Sequence, residues 1–222
     1  MAAFWLLTSP AAAASAPVRI MPLGDSITGS PGCWRALLWR KLQEHNITNT
    51  KFVGTLPAQG CGFTYDGANE GHGGFLASGI VSKKQLPGWL DQTHPDIVMM
   101  HLGTNDVWNN ASPEGITGSF SALVDQMRAS NPHMKILVAQ ILPMKPSNCA
   151  DCPQRVIALN KAIAAWAPTV NTTAGSPLTV VDCWTGFDDA TDTLDGVHPN
   201  SAGNEKMANS WYGPLVQAIE SM

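Results

Sequence analysis

Five short apolar stretches, VRIMPL (18–23), KFVG (51–54), DIVMMHL (96–102), KILVAQIL (135–142) and LTVVD (178–182), recur along the chain at intervals too long for hairpin turns. Three of them are almost continuously apolar, the pattern of strands buried on both faces. Helical periodicity fills the gaps between them. Trp34, Leu37, Leu38 and Leu42 repeat at helical spacing, as do Phe120, Leu123, Val124 and Met127. A third helix is expected over Pro153 to Trp166, with Val156, Leu159, Ile163 and Trp166 on one face. A last one starts near Ser201 and runs to the end with a break at Gly213-Pro214. Ser112-Pro113-Glu114 is a good helix start, with serine at the cap and proline at the first helical position. Strand and helix in alternation specify an α/β fold, a parallel sheet covered on both faces.

Bulk composition removes several classes of function. A chain of 222 residues is one ordinary domain with enough length to bury a core unaided. The formal net charge is −4, only 14% of residues are charged and there is no basic run, so nucleic acid is not expected as a partner. No apolar stretch reaches the roughly 18 residues of a membrane span. Residues 1–16 differ from the rest of the chain: an apolar patch from Phe4 to Leu7 leads to Ala14-Ser15-Ala16, with no Lys or Arg before it. They read as a weak or trimmed signal peptide, or else as a floppy alanine-rich terminus, with residues 17–222 as a single catalytic domain. Five cysteines (Cys33, Cys61, Cys149, Cys152, Cys183) and three glycosylation sequons (Asn46, Asn110, Asn171) fit an oxidising, secreted setting. The odd number leaves at least one thiol free in a monomer. CADC (149–152) lacks a second cysteine pair and comes after a loop-like, proline-containing approach, so a local disulfide is expected over a redox or metal motif.

In open α/β sheets ligands sit beyond the carboxyl ends of the strands. Four polar clusters fall on that rim: GDSIT after the first strand, EGHGGF (70–75) within the glycine-rich segment Thr55 to Leu76, GTND (103–106) after the third, and DGVHP (195–199) after the fifth. Acyl transfer needs a nucleophile, a base, an orienter for that base and donors for an oxyanion. Ser26 is the candidate nucleophile, although the second glycine, Gly29, comes one position late for a G-x-S-x-G elbow. His198 is the candidate base. If Asp195 and His198 share one turn, the carboxylate can hold one ring nitrogen while the other faces Ser26. The Ser26 N–H, an N–H of the GHGG loop and the Asn105 amide are the candidate oxyanion donors.

GDSIT, the glycine of GHGGF, GTND and DGVHP, in this order and spanning Gly24 to His198, resemble the four sequence blocks of the SGNH hydrolase superfamily, the GDSL-type esterases and lipases. The longer stretches RIMPLGDSITGSPGCWR and NEGHGGFLASGI are similar to the acetylxylan esterases of carbohydrate esterase family 3. The resemblance implies a three-layer α/β/α, flavodoxin-like fold with a five-stranded parallel sheet. It implies Ser26, Asp195 and His198 as catalytic residues. Gly73 and Gly74 compete for the second block, and the family's Ser-Gly-aromatic pattern selects Gly74 to join Ser26 and Asn105 in the oxyanion hole. The implied activity is deacetylation of plant cell-wall polysaccharide, foremost acetylated xylan, through an acetyl-enzyme. No cofactor or metal is called for, and the partner is the polysaccharide substrate of a secreted monomer, with no nucleic acid or membrane.

Other residues invite a plainer reading. Asp25 is expected to cap the turn after it, Asp106 to brace its own loop, and His101, inside an apolar strand, to be a hydrogen-bonded core histidine. No HExxH-like spacing supports a metal site at Glu70, His72, Asp106 and His198. Trp34, Trp39 and Trp166 belong to apolar helix faces; His72 and Trp108 are the candidates for substrate contact. The competing functions are a lipase or thioesterase with the same chemistry, a non-catalytic carbohydrate-binding protein and a redox role for CADC. No amphipathic lid is apparent to favour a lipase, and all four blocks are intact.

Overall fold

The computed structural model describes residues 16–30, 32–171 and 174–222; the reading of residues 1–16 as a trimmed signal peptide or floppy terminus lies, but for Ala16, outside them. The elements come in the order β1 (Val18–Gly24), α1 (Ser26–Gly29), α2 (Trp34–Glu44), β2 (Thr50–Phe52), β3 (Glu70–Gly71), α3 (Ala77–Ser82), α4 (Gln85–Thr93), β4 (Ile97–His101), α5 (Thr104–Trp108), α6 (Pro113–Ser130), β5 (Lys135–Gln140), α7 (Cys152–Val170), β6 (Leu178–Asp182), α8 (Asp189–Asp192) and α9 (Ser201–Glu220). The five apolar stretches are β1, β2, β4, β5 and β6. They lie side by side in the order β2-β1-β4-β5-β6, every pair parallel. The strand not expected is β3. It pairs with Leu23 and Gly24 of β1, continuing the edge that β2 occupies at Val18 to Ile20. The sheet therefore has six strands in five positions. Two residues, Glu70 and Gly71, flanked by the polar Asn69 and His72, give no periodic signal, which is why β3 was not legible.

The order is the flavodoxin-like one, and it reverses between β1 and β4. Helices cover both faces. On one, α2 packs against α9, with Trp34 and Trp211 stacked at 5.8 Å; on the other, α6 packs against α3, α4 and α7, with Phe120 edge-on to Trp166 at 5.7 Å. Strand β4 is buried along its whole length, as its apolar run requires. Trp34 and Trp166 lie in the core and Trp39 packs partly against it. Ser112 caps α6, its hydroxyl accepting from the Gly115 N–H, with Pro113 at the first helical position.

Helix α9 does not break at Gly213-Pro214. Proline removes one backbone donor, but Trp211, Leu215 and Ala218 continue the buried stripe through it, and that packing holds the helix together. Cys33 and Cys61 form a disulfide that ties the glycine-rich segment to the start of α2, and CADC closes on itself as Cys149–Cys152. Cys183 is free and buried.

Candidate active site

The carboxyl ends of β1, β3 and β4 converge because small residues let their backbones meet. A Cβ on Gly24 would collide with the Thr28 hydroxyl and the His101 carbonyl, and Gly29 and Gly71 touch backbone to backbone. The late glycine of GDSITG is thus explained by packing: it lets α1 lie on β3. The His72 N–H donates to the Gly24 carbonyl at 3.0 Å, fastening the GHGG loop beside Ser26.

Ser26 opens α1, and Asp25 caps it, Oδ1 accepting from the Ile27 N–H at 3.0 Å. Ser26 Oγ lies 2.9 Å from His198 Nε2, and His198 Nδ1 lies 2.7 Å from Asp195 Oδ2. The turn that carries the pair is tightly pinned. Asp195 Oδ1 accepts from the Val197 and His198 N–H groups, the Leu194 N–H donates to the His198 carbonyl, and the Lys145 N–H donates to the Gly196 carbonyl. Partial burial alone would raise the Asp195 carboxyl. Hydrogen bonds from the His198 backbone and ring and from the Val197 N–H outweigh that and hold it below the usual carboxylate range. Asp195 stays an anion that fixes a proton on Nδ1, so Nε2 turns its lone pair to the serine hydroxyl.

Asn105, in the first turn of α5, donates from Nδ2 to the Phe75 carbonyl at 3.0 Å. The amide carries a second N–H, so one bond orients the side chain while the other donor remains for a ligand. A Cβ on Gly73 would lie 3.9 Å from that of Ser26, and Gly74 next to it is exposed with φ of 77°. Asp106 does not brace its own loop as expected. It is fully buried and reaches across to α3, accepting from the Ala77 N–H at 2.9 Å and the Ser78 hydroxyl at 3.0 Å. Open donors at the start of a helix attract a carboxylate more strongly than a loop whose backbone is already paired.

His101 is a core histidine, accepting from the Leu142 N–H, and burial pushes it down to about 4. His72 lies in an aromatic stack, with Phe75 at 4.8 Å and Trp89 at 4.5 Å, and its Nε2 meets the buried Glu70 carboxylate at 2.6 Å. Trp108, at the end of α5, packs partly against the core. Two features escaped the sequence reading. Glu70 also accepts from the Thr55 N–H and hydroxyl and so anchors the base of the loop; its only signal was a charged residue next to GHGG. The second is a groove of about 400 Å³ lined by the Cys33–Cys61 pair, Phe63, Leu194, Pro199 and Glu205, directly beside the Asp195–His198 turn. It is assembled from three distant segments, which no local pattern could reveal.

Residues 23–206 match the model of the GDSL-like lipase/acylhydrolase family. The chain belongs to that family. Its fold is that of the SGNH hydrolases, a family of carboxylic ester hydrolases. It is similar to a crystallised acetyl esterase mutant with an acetate ion (35% identity over 92% of this chain and 99% of that one, TM-score 0.83). The same figures hold for a carbohydrate esterase family 3 protein from Talaromyces cellulolyticus. A multidomain esterase of Ruminococcus flavefaciens is 29% identical over 89% of this chain and 28% of its own length. The chain spans 28% of that esterase and 60% of an arylesterase of Vibrio mimicus that it also matches. The expected resemblance to family 3 carbohydrate esterases is thereby met.

Proposed function

We propose that this chain is an extracellular serine esterase that removes acetyl groups from plant cell-wall polysaccharide, acetylated xylan foremost, through residues 17–222 acting as one catalytic domain. The observation that carries this reading is the continuous relay from Ser26 Oγ to His198 Nε2 at 2.9 Å and from His198 Nδ1 to Asp195 at 2.7 Å. Ser26 attacks the ester carbonyl as His198 takes its proton. The Ser26 and Gly74 N–H groups and the second Asn105 amide N–H receive the negative charge that develops on the carbonyl oxygen. His198 then passes the proton to the departing sugar oxygen, leaving an acetyl-enzyme. Water, deprotonated by the same His198, releases acetate and restores the serine. The acetyl and carbohydrate preferences rest on the related acetyl esterase and family 3 carbohydrate esterase, and the extracellular setting on the two disulfides.

The test is acetate release from acetylated xylan by the wild type and by Ser26→Ala, beside a long-chain acyl ester. Release that collapses in the variant supports nucleophile and substrate together. Turnover of the long acyl chain alone keeps Ser26 and overturns the carbohydrate reading. Equal activity in both proteins returns GDSIT to a turn.

A further inference from the structure

We propose that the groove beside His198 is a sugar-chain subsite that seats the leaving alcohol, with Leu194 and Phe63 as the residues that set preference for a polysaccharide over a small ester. The inference rests on the reading of Ser26, His198 and Asp195 as the acyl-transfer relay. His198 must hand its proton to the oxygen of the departing alcohol, so the alcohol lies on the imidazole side of the serine. Asn105 is bonded to Phe75, next to the GHGG loop, and in the proposed mechanism both serve the carbonyl oxygen. The groove is built from the residues that flank the base and its partner: Pro199 comes directly after His198 and Leu194 directly before Asp195. On this proposal an alcohol larger than a few atoms, with its oxygen at His198 Nε2, extends over Leu194 and Pro199 into the groove.

The lining matches the chemistry of a pyranose chain, whose rings present apolar C–H faces and a rim of hydroxyls. Leu194 is 75% exposed, the most open of the large apolar side chains among the described residues. Its backbone is nonetheless fixed, because its own N–H is bonded to the His198 carbonyl at 2.8 Å. A leucine fixed in water next to a catalytic turn gains apolar contact only when something lies on it. Phe63 belongs to the segment fastened by Cys33–Cys61, and Arg40 stacks over its ring at 4.9 Å. Ser201 and the exposed Glu205, which also line the groove, offer a hydroxyl and a carboxylate to sugar hydroxyls. At about 400 Å³ the groove lies within the range of small-molecule clefts, roughly 300–1,000 Å³, and far exceeds an acetyl group.

The experiment compares kcat/KM for acetylated xylo-oligosaccharides and for ethyl acetate, whose two-carbon alcohol fills little of the groove, in the wild type, Leu194→Ser, Phe63→Ala and the control Ile157→Ser. Ile157 is another exposed apolar residue, on α7 and outside the groove. Loss of one apolar contact face is expected to lower the ratio of the two kcat/KM values about tenfold, mainly through KM for the oligosaccharide, with the control at the wild-type ratio. Leu194→Ser alters an exposed side chain, so folding is not at risk. An unchanged ratio in both groove variants, or a parallel fall on both substrates, overturns the proposal. Wild-type enzyme that cleaves ethyl acetate but releases nothing from the oligosaccharide overturns the carbohydrate reading itself, and the subsite with it.

Discussion

Asp25 sits behind the serine with its carboxyl entirely shut from water. Burial pushes its pKa up from 3.8 to about 6, against the opposing pull of the Ile27 N–H, Thr104 and His198. Between pH 4 and 6 the unfolded chain gives up this proton while the folded protein keeps it, so stability falls as pH rises through that window and levels off above 6. Each pKa unit is worth about 1.4 kcal/mol, so the buried carboxyl destabilises the fold by roughly 3 kcal/mol at pH 7–8. Asp25→Asn removes the ionisation and keeps an oxygen for the Ile27 N–H, the cap of α1. The variant is expected to match the wild type near pH 4 and to exceed it by about 2–3 kcal/mol at pH 8, on the order of 5–10 °C in Tm for a chain of this size. Urea unfolding of both proteins at pH 4, 5, 6, 7 and 8 gives the difference, because carboxylates away from Asp25 titrate equally in the two and cancel. A difference that stays flat from pH 4 to 8, or a wild type that gains on the variant as pH rises, refutes the burial argument.

Asp195→Asn keeps the shape of the His198 turn but no longer fixes the proton on Nδ1, and should lower kcat by about 10⁴ in steady-state assays on an acetyl ester while the unfolding midpoint moves little. Asn105→Ala should lower kcat by about 10²–10³ with KM nearly unchanged, the mark of a donor used mainly in the transition state. Replacing Cys33 and Cys61 by serine frees a closed segment with a sequence separation of 28, and calorimetry should show a loss of roughly 3–4 kcal/mol. Cys183, whose thiol burial pushes well above its ordinary range, should resist thiol reagents in the native protein and react in denaturant; rapid labelling of the folded enzyme would contradict that.

How much was legible depends on the range over which each signal acts. Strands β1, β2, β4, β5 and β6 were readable because burial on both faces writes itself into consecutive residues. Helices α2, α6, α7 and α9 were readable because their apolar faces repeat every three or four residues. Asp25 as a cap and His101 as a core residue came from the same local logic. What failed to show was set by partners far away in sequence. Strand β3 exists because Leu23 and Gly24 offer an open edge, and α9 survives Pro214 because its stripe packs on α2. Asp106 turns to α3 because Ala77 and Ser78 present unpaired donors. The site divides in the same way. Ser26, Asp195, His198 and Asn105 could be picked out because strand ends in a parallel sheet share one rim, and the structure brings Ser26, His198 and Asp195 into hydrogen-bond reach. The groove could not, because Phe63, Leu194 and Glu205 carry no mark until the disulfide and the Asp195–His198 turn bring them together. In this chain the proposed acyl-transfer relay lies in short motifs, whereas the groove proposed for the alcohol is made by tertiary contacts between segments far apart in sequence.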